Sequence, residues 1–288
     1  RTMKKFNLFS SFKNRLRPSA GPPAQRAARA QSFVELALII PVLILMLLGM
    51  MEVVIFIGRY LDILDMTREA ARFASLRDYE VLGYLPSADC RPKVTLDDGH
   101  GGTIDVEPPF HFYFQTSCIF SPPQGSPNCT GPNDPWCNGV NSYVRFNPAT
   151  DDIVISVYTI EFRGTGHIVS NTWPQPDAQA DNGVERNGYW AYSDNDSDTA
   201  HNNNWKYDCQ GNLTRTTPHV DYNVVNDALS RGPLARGNKG YVAVEFYYCY
   251  DQVLALPVVT EFVPNPVRIH AYTLMPLPSA APTPTPRP

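Results

Sequence analysis

Apolar and polar positions change their rhythm three times along the chain. From Leu36 to Met51 sixteen residues pass without a charge, and after Glu52 the stretch Val53 to Gly58 adds six more. Together they approach the ~20 residues that a helix needs to cross a bilayer. Tyr60, Ile63, Leu64, Thr67, Ala70, Ala71 and Ala74 then recur at three- and four-residue steps, which marks one face of a helix. A single helix from about Gln31 to Arg77 would measure ~70 Å.

From Lys93 the period shortens. "KVTL", "TIDVE", "FHFYFQT", "DIVISVYTIEF", "YVAVEFYYCY" and "PVRIHAYTLM" alternate or are rich in β-formers, and each predicts a strand. Residues 152–162 are apolar on both faces, with Ile153, Ile155 and Val157 opposite Val154, Ser156 and Tyr158, so they belong at the centre of a sheet. "GHGG" at 99–102 predicts a hairpin turn. "TPHVDYNVVNDALSRG" predicts a helix with Thr217 as its cap, Pro218 in its first turn and Gly232 at its end. The expected fold class is α+β: a long N-terminal transmembrane helix continues outside the membrane and packs on a mostly antiparallel sheet domain with disulfides.

Charge adds a direction. Residues 1–30 carry eight Lys/Arg and no acid, so the remaining 16 basic and 28 acidic residues leave a net −12 on the rest. An acidic body argues against nucleic-acid binding, which needs a basic face. Basic residues ahead of an apolar span place the N-terminus inside by the positive-inside rule. A cleaved secretory signal is the rival reading, but "GRYLDILDMTREAARFA" follows the span, with no small-residue cleavage site. The expected organisation is a basic cytoplasmic leader (1–30), a transmembrane helix (31–58), its extracellular continuation (59–78) and an extracytoplasmic β-rich domain (79–276). That domain holds a polar insert (171–215) and is followed by a Pro/Thr-rich disordered tail (277–288).

Two carboxylates interrupt the span. Glu35 and Glu52 are seventeen residues apart, nearly five whole turns at about 100° per residue, so they share one face ~25 Å apart along the axis. Arg59 lies seven residues beyond Glu52 on nearly the same face. Ionisable residues within a span usually face a partner or a cavity. Glu35 fits contact with another subunit. Glu52 fits either that or a reach toward outside water and Arg59. Pro41 removes a backbone bond within the span, which predicts a kink, harmless or part of a shaped packing surface. If the chain were cut between Ala30 and Gln31, the new amine would open the apolar helix, and Glu35 of a neighbouring helix could neutralise it.

These residues carry a resemblance. "RAQSFVELALIIPVLILMLLGMMEV" followed by "REAARFAS" resembles the TadE/TadG-like family of tight-adherence (Flp-type) pilus systems. The resemblance covers about residues 29–77, with Ala30 where the family most often has Gly. "YVAVEFYYCY", "LALPVVTEFVPNP" and "VRIHAYTLMPL" resemble the extracellular end of many such proteins. The resemblance implies a pseudopilin-like minor subunit in the cytoplasmic membrane and makes Glu35 the assembly carboxylate. It also implies other pilus or pseudopilin subunits as partners and a prepilin peptidase that processes the chain at Ala30–Gln31.

All six cysteines (Cys90, Cys118, Cys129, Cys137, Cys209, Cys249) follow the span. An even count on the oxidising side predicts disulfides, with fifteen pairings open. Asp194, Asp196 and Asp198 alternate as in a calcium loop, but Thr199 and Trp205 stand where that loop needs Gly and Glu, so an Asx-rich turn fits better. No hydrolase, metalloprotease or phosphate-loop motif is present, so neither a cofactor nor catalysis is expected. The expected function is structural, with a membrane-tethered extracellular binding module or adhesin as the alternative, in which the 171–215 insert grips the ligand.

Overall fold

The computed structural model describes residues 23–79, 90, 94–97, 100–106, 112–129, 131, 134, 136–142, 144–163, 166–173, 188–195, 203–231, 238–256, 260–261 and 263–282. They divide into two units, Arg1–Met51 and Glu52–Pro288.

The described residues of the first unit are helical. Helix α1 (Pro23–Ser75) starts earlier than the expected Gln31 and runs through Pro41 as one element. Its side chains from Phe33 to Met51 are mostly apolar and exposed: Leu38 is 71 % accessible and Leu47 65 %. Among the described residues nothing covers these side chains, a surface that suits contact with lipid. By length and composition, the stretch Phe33–Ser75 can cross a membrane.

The second unit is α+β, as expected. Two short strands, β1 (Val94–Asp97) and β2 (Thr103–Val106), form an antiparallel hairpin. Gly101 in its turn adopts φ +83°, a conformation that glycine alone takes without strain. The main sheet contains β3 (Asp152–Arg163), β4 (Gly166–Trp173), β5 (Trp190–Ala191), β6 (Lys239–Tyr250) and β7 (Val267–Pro276). Its order is β4-β3-β6-β7, with β5 also paired to β3, and every pairing is antiparallel. Strand β3 is internal, and its two faces enter different cores. Ile153, Ile155 and Val157 join the main core; Tyr158 and Ile160 join a second one under α4 (Tyr222–Arg231).

The main core is the contact between the sheet and the 52–75 part of α1. Ile63, Met66, Ala70, Ala71 and Ala74 pack with Val242, Val244, Phe246 and Ile269. Three fully buried alanines let the helix backbone approach the sheet closely, and Thr67 Oγ1 meets Thr273 Oγ1 at 3.3 Å. The predicted face is displaced slightly. Tyr60 is 39 % exposed, whereas Met66, not assigned to that face, is buried.

Three expectations are corrected. "FHFYFQT" is not a strand: residues 112–117 form helix α2 (Phe112–Ser117). Five of its six residues are buried, polar Thr116 and Ser117 among them, so the pattern carries no period to read. Helix α4 begins at Tyr222, and Asp221 caps it by accepting from Val224 N at 2.8 Å, in place of Thr217. Among the described residues, parts of the polar insert 171–215 are built into the sheet. Its first residues complete β4, Trp190 pairs with β3, and Trp190 and Trp205 are fully buried. The tail from 277 opens with packed structure: Leu277 is fully buried, its N donates to Gly240 O at 2.8 Å, and Pro278–Ala280 form a 3-10 turn.

Candidate functional site

Glu35 stands on α1 among exposed Phe33, Val34, Leu36 and Leu38. Ala30 and Gln31 lie in the same helix, upstream of it. A carboxylate set in so apolar a band is costly to leave in hydrocarbon.

Glu52 behaves differently. It is 7 % exposed, while the next two residues, Val53 and Val54, are 56 % and 68 % exposed. Its carboxylate turns to the connection that leaves β6. Tyr250 Oη donates to Oε1 at 2.9 Å, Val253 N donates to Oε1 at 2.9 Å, and Leu254 N donates to Oε2 at 2.8 Å. Two backbone N–H groups and a phenol thus share one charge, the strong charge-assisted class of hydrogen bond. The Phe56 ring meets the Tyr250 ring edge-on at 5.6 Å. Burial, followed by the hydrogen bond and charge of Glu52, pushes the Tyr250 hydroxyl up to about 12, so it remains a donor at physiological pH. Below this point Gln252 closes the neck of the loop: its N donates to Asn265 Oδ1 at 2.9 Å, and its Nε2 donates to Val263 O at 3.4 Å. Arg59, the other ionisable group predicted on this face, lies 3.6 Å from Asp62.

The six cysteines form three disulfides, Cys90–Cys118, Cys129–Cys137 and Cys209–Cys249. The first ties the segment before the hairpin to the turn after α2. The last ties the 203–215 region to β6. Asp194 is in a one-turn helix, α3 (Tyr192–Asn195), and Asp196 and Asp198 lie outside the described residues. Among the described residues no three His, Cys, Asp or Glu side chains are grouped to hold a metal.

Two buried carboxylate networks had no signal in the sequence. Asp152 is fully buried and accepts from Ile153 N, Ser193 N, Ser193 Oγ and Trp205 N at 2.7–3.0 Å, which stitches the 188–205 region to β3. Glu245, 1 % exposed, accepts from Tyr247 Oη at 2.6 Å and from His219 N and Val220 N at 3.1 and 3.0 Å. His270 Nε2 lies 2.9 Å from it, and His270 stacks on Tyr247 with ring centroids 4.3 Å apart. Burial raises the Tyr247 hydroxyl well above its usual range, and the charge of Glu245 adds to the rise. Both networks hold loops onto the sheet; their atoms are spent on each other and on backbone groups.

Residues 30–72 match the family model described as TadE-like protein. The match lies wholly within α1 and agrees with the resemblance read from the sequence. No curated protein and no solved structure matches the chain.

Proposed function

We propose that this chain is a membrane-anchored, pseudopilin-like minor subunit that helps assemble a tight-adherence (Flp-type) pilus or a related secretion system. The observation that carries the reading is the coincidence of the TadE-like match with a helix whose apolar side chains stand uncovered around Glu35. On this reading the 31–58 stretch spans the cytoplasmic membrane with residues 1–30 inside and the disulfide-bonded head outside. A prepilin peptidase cuts between Ala30 and Gln31. Glu35 then neutralises the new amine of a neighbouring subunit at the edge of the lipid, where neither charge is stable alone. The protein works by packing, not by catalysis.

Glu35→Ala tests this. Pull-down of pilus components by the variant should fall at least tenfold, the equivalent of ~1.4 kcal/mol of contact energy, while membrane insertion persists. Unchanged pull-down would overturn the assembly role.

The alternative, a membrane-tethered binding module, draws support from an open polar cleft of about 360 Å³ lined by Tyr79, Thr159, Glu161, Ser170 and Asn171. Trp173, whose ring centroid lies 5.3 Å from that of Tyr79, has a buried Nε1 without a partner among the described residues. Soluble glycans titrated against the intrinsic tryptophan fluorescence would separate the two readings: saturable quenching that Asn171→Ala abolishes favours the module.

A further inference from the structure

The polar cleft of the head has two walls. The first is built by β3 and β4, where the pairing slips: Thr159 faces Asn171, but Ile160 faces Val169, so Ser170 is an extra residue with no opposite on β3. Such a bulge re-aims side chains and is common beside binding sites. Here it brings Ser170 to the cleft with Thr159, Glu161 and Asn171. The second wall is the segment 279–282, which is held down on both sides. Leu277 N donates to Gly240 O at 2.8 Å, and Asn238 Nδ2 donates to Pro282 O at 2.7 Å. A Cβ on Gly240 would lie 2.2 Å from Leu277 O, so this wall sits directly on β6. The volume of about 360 Å³ falls within the ~300–1,000 Å³ of small-molecule sites, and walls bonded in place form the site before a ligand arrives.

The Ser and Thr hydroxyl protons of the lining are already committed. Ser279 Oγ donates to Arg77 O at 2.9 Å. Thr159 Oγ1 and Ser170 Oγ lie 3.2 Å apart, and they reach Asn171 O and Thr159 O, each at 3.2 Å. Whichever of these bonds form, both protons stay within the protein, and each hydroxyl, with one donor and two lone pairs, keeps acceptor capacity. Glu161 adds a carboxylate, which when ionised only accepts, and it is the one charged side chain among the described residues that line the cleft. The end of α1 contributes the same sign. Tyr79 follows Ser75, the last helical residue, by four positions, and the last carbonyls of a helix carry partial negative charge. Arg77, the cation of this stretch, lies over the Phe73 ring at 3.9 Å and donates to Gln115.

A cleft rich in acceptors and negative in sign selects a donor-rich cation. We propose that it binds an amino sugar. The ring fills the cleft, its hydroxyls meet Asn171, whose amide both donates and accepts, and its protonated amine lies at Glu161. An ammonium carries three donors and no acceptor, the complement of the hydroxyl oxygens and the carboxylate. Acidic sugars are disfavoured by the same charge. The proposal rests on the binding reading of the cleft and leaves the assembly role given to Glu35 as it stands.

Saturation-transfer NMR tests it with the full chain in detergent micelles, using glucosamine, glucose, glucuronic acid and Nα-acetyl-lysine amide as probes. At slightly acid pH, with the amine protonated, glucosamine should bind about fivefold more tightly than glucose, the upper end of what a solvent-exposed ion pair is worth, and glucuronic acid should bind most weakly. Glu161→Gln should remove that preference and keep the binding of glucose. Equal binding of glucosamine and glucose overturns the amine assignment while the binding reading stands. Lysine amide bound as tightly as glucosamine overturns the sugar. If no probe binds saturably, the binding reading and the inference fall together. The ranking of probes on the unaltered chain decides between these outcomes even where Glu161→Gln misfolds.

Discussion

A single carboxylate in this protein is decided by what its neighbours can donate. Glu52 receives two backbone N–H groups and a phenol, so replacing it orphans one buried and two half-buried donors. Glu52→Ala should destabilise the head by about 2–4 kcal/mol, whereas Tyr250→Phe, which removes one donor and orphans nothing on the backbone, should cost about 1 kcal/mol. Hydrogen exchange supplies the local check: the Val253 and Leu254 amides should exchange faster in Glu52→Ala and keep their protection in Tyr250→Phe. Asp151 and Asp152 illustrate the opposing balance. Burial raises both carboxyls from 3.8 to about 6, against hydrogen-bond donors that pull them down. The folded protein thus holds these protons to a higher pH than the unfolded chain does. The stabilisation is fully present below the unfolded value and is lost as pH rises through about 6. The melting midpoint of the head should therefore fall between about pH 4 and pH 7, and fall less in Asp152→Asn, by thermal unfolding followed by circular dichroism.

At the level of elements, close approach and cross-linking do most of the work. Strand β6 carries Gly240 where a Cβ would collide with Leu277 O and Ala280. Gly240→Ala should push the 277–282 segment off the sheet and release Leu277 from full burial, detectable as new proteolytic cleavage near 277 and a destabilisation of about 2 kcal/mol. The Cys209–Cys249 bridge closes a separation of 40 residues. Replacing both cysteines with serine should lower stability by about 4 kcal/mol in the chain-entropy account, measured by urea unfolding. Helix α4 shows how local signals compete. Thr217 and Asp221 can both cap, and the sequence around Pro218 favours the earlier start. The network around Glu245 decides otherwise, because it ties His219 N and Val220 N to a carboxylate and leaves Asp221 as the first residue free to cap.

For the whole molecule, a helix that is uncovered in one unit becomes the spine of a core in the other. This contrast was legible beforehand, because hydrophobic runs and three-to-four spacing are properties of consecutive residues. The central place of β3 was legible too, from its two apolar faces. The helical state of residues 112–117 was not, since an element buried on all sides carries no period. The core role of Trp190 and Trp205 was hidden within a polar composition that reads as a loop. The partner of Glu52 was hidden by distance: Tyr250 is 198 residues away in the chain.

The sequence by itself determined the apolar helix, the alternation of the strands, the even cysteine count and the presence of two acids in an apolar run, because each depends only on local order and residue type. The tertiary structure alone decided which cysteines meet, which segment closes over the sheet, and that Glu52 turns to its own chain. Those outcomes depend on contacts between residues far apart in sequence, whose geometry exists only once the strands have paired and the helix has packed on them.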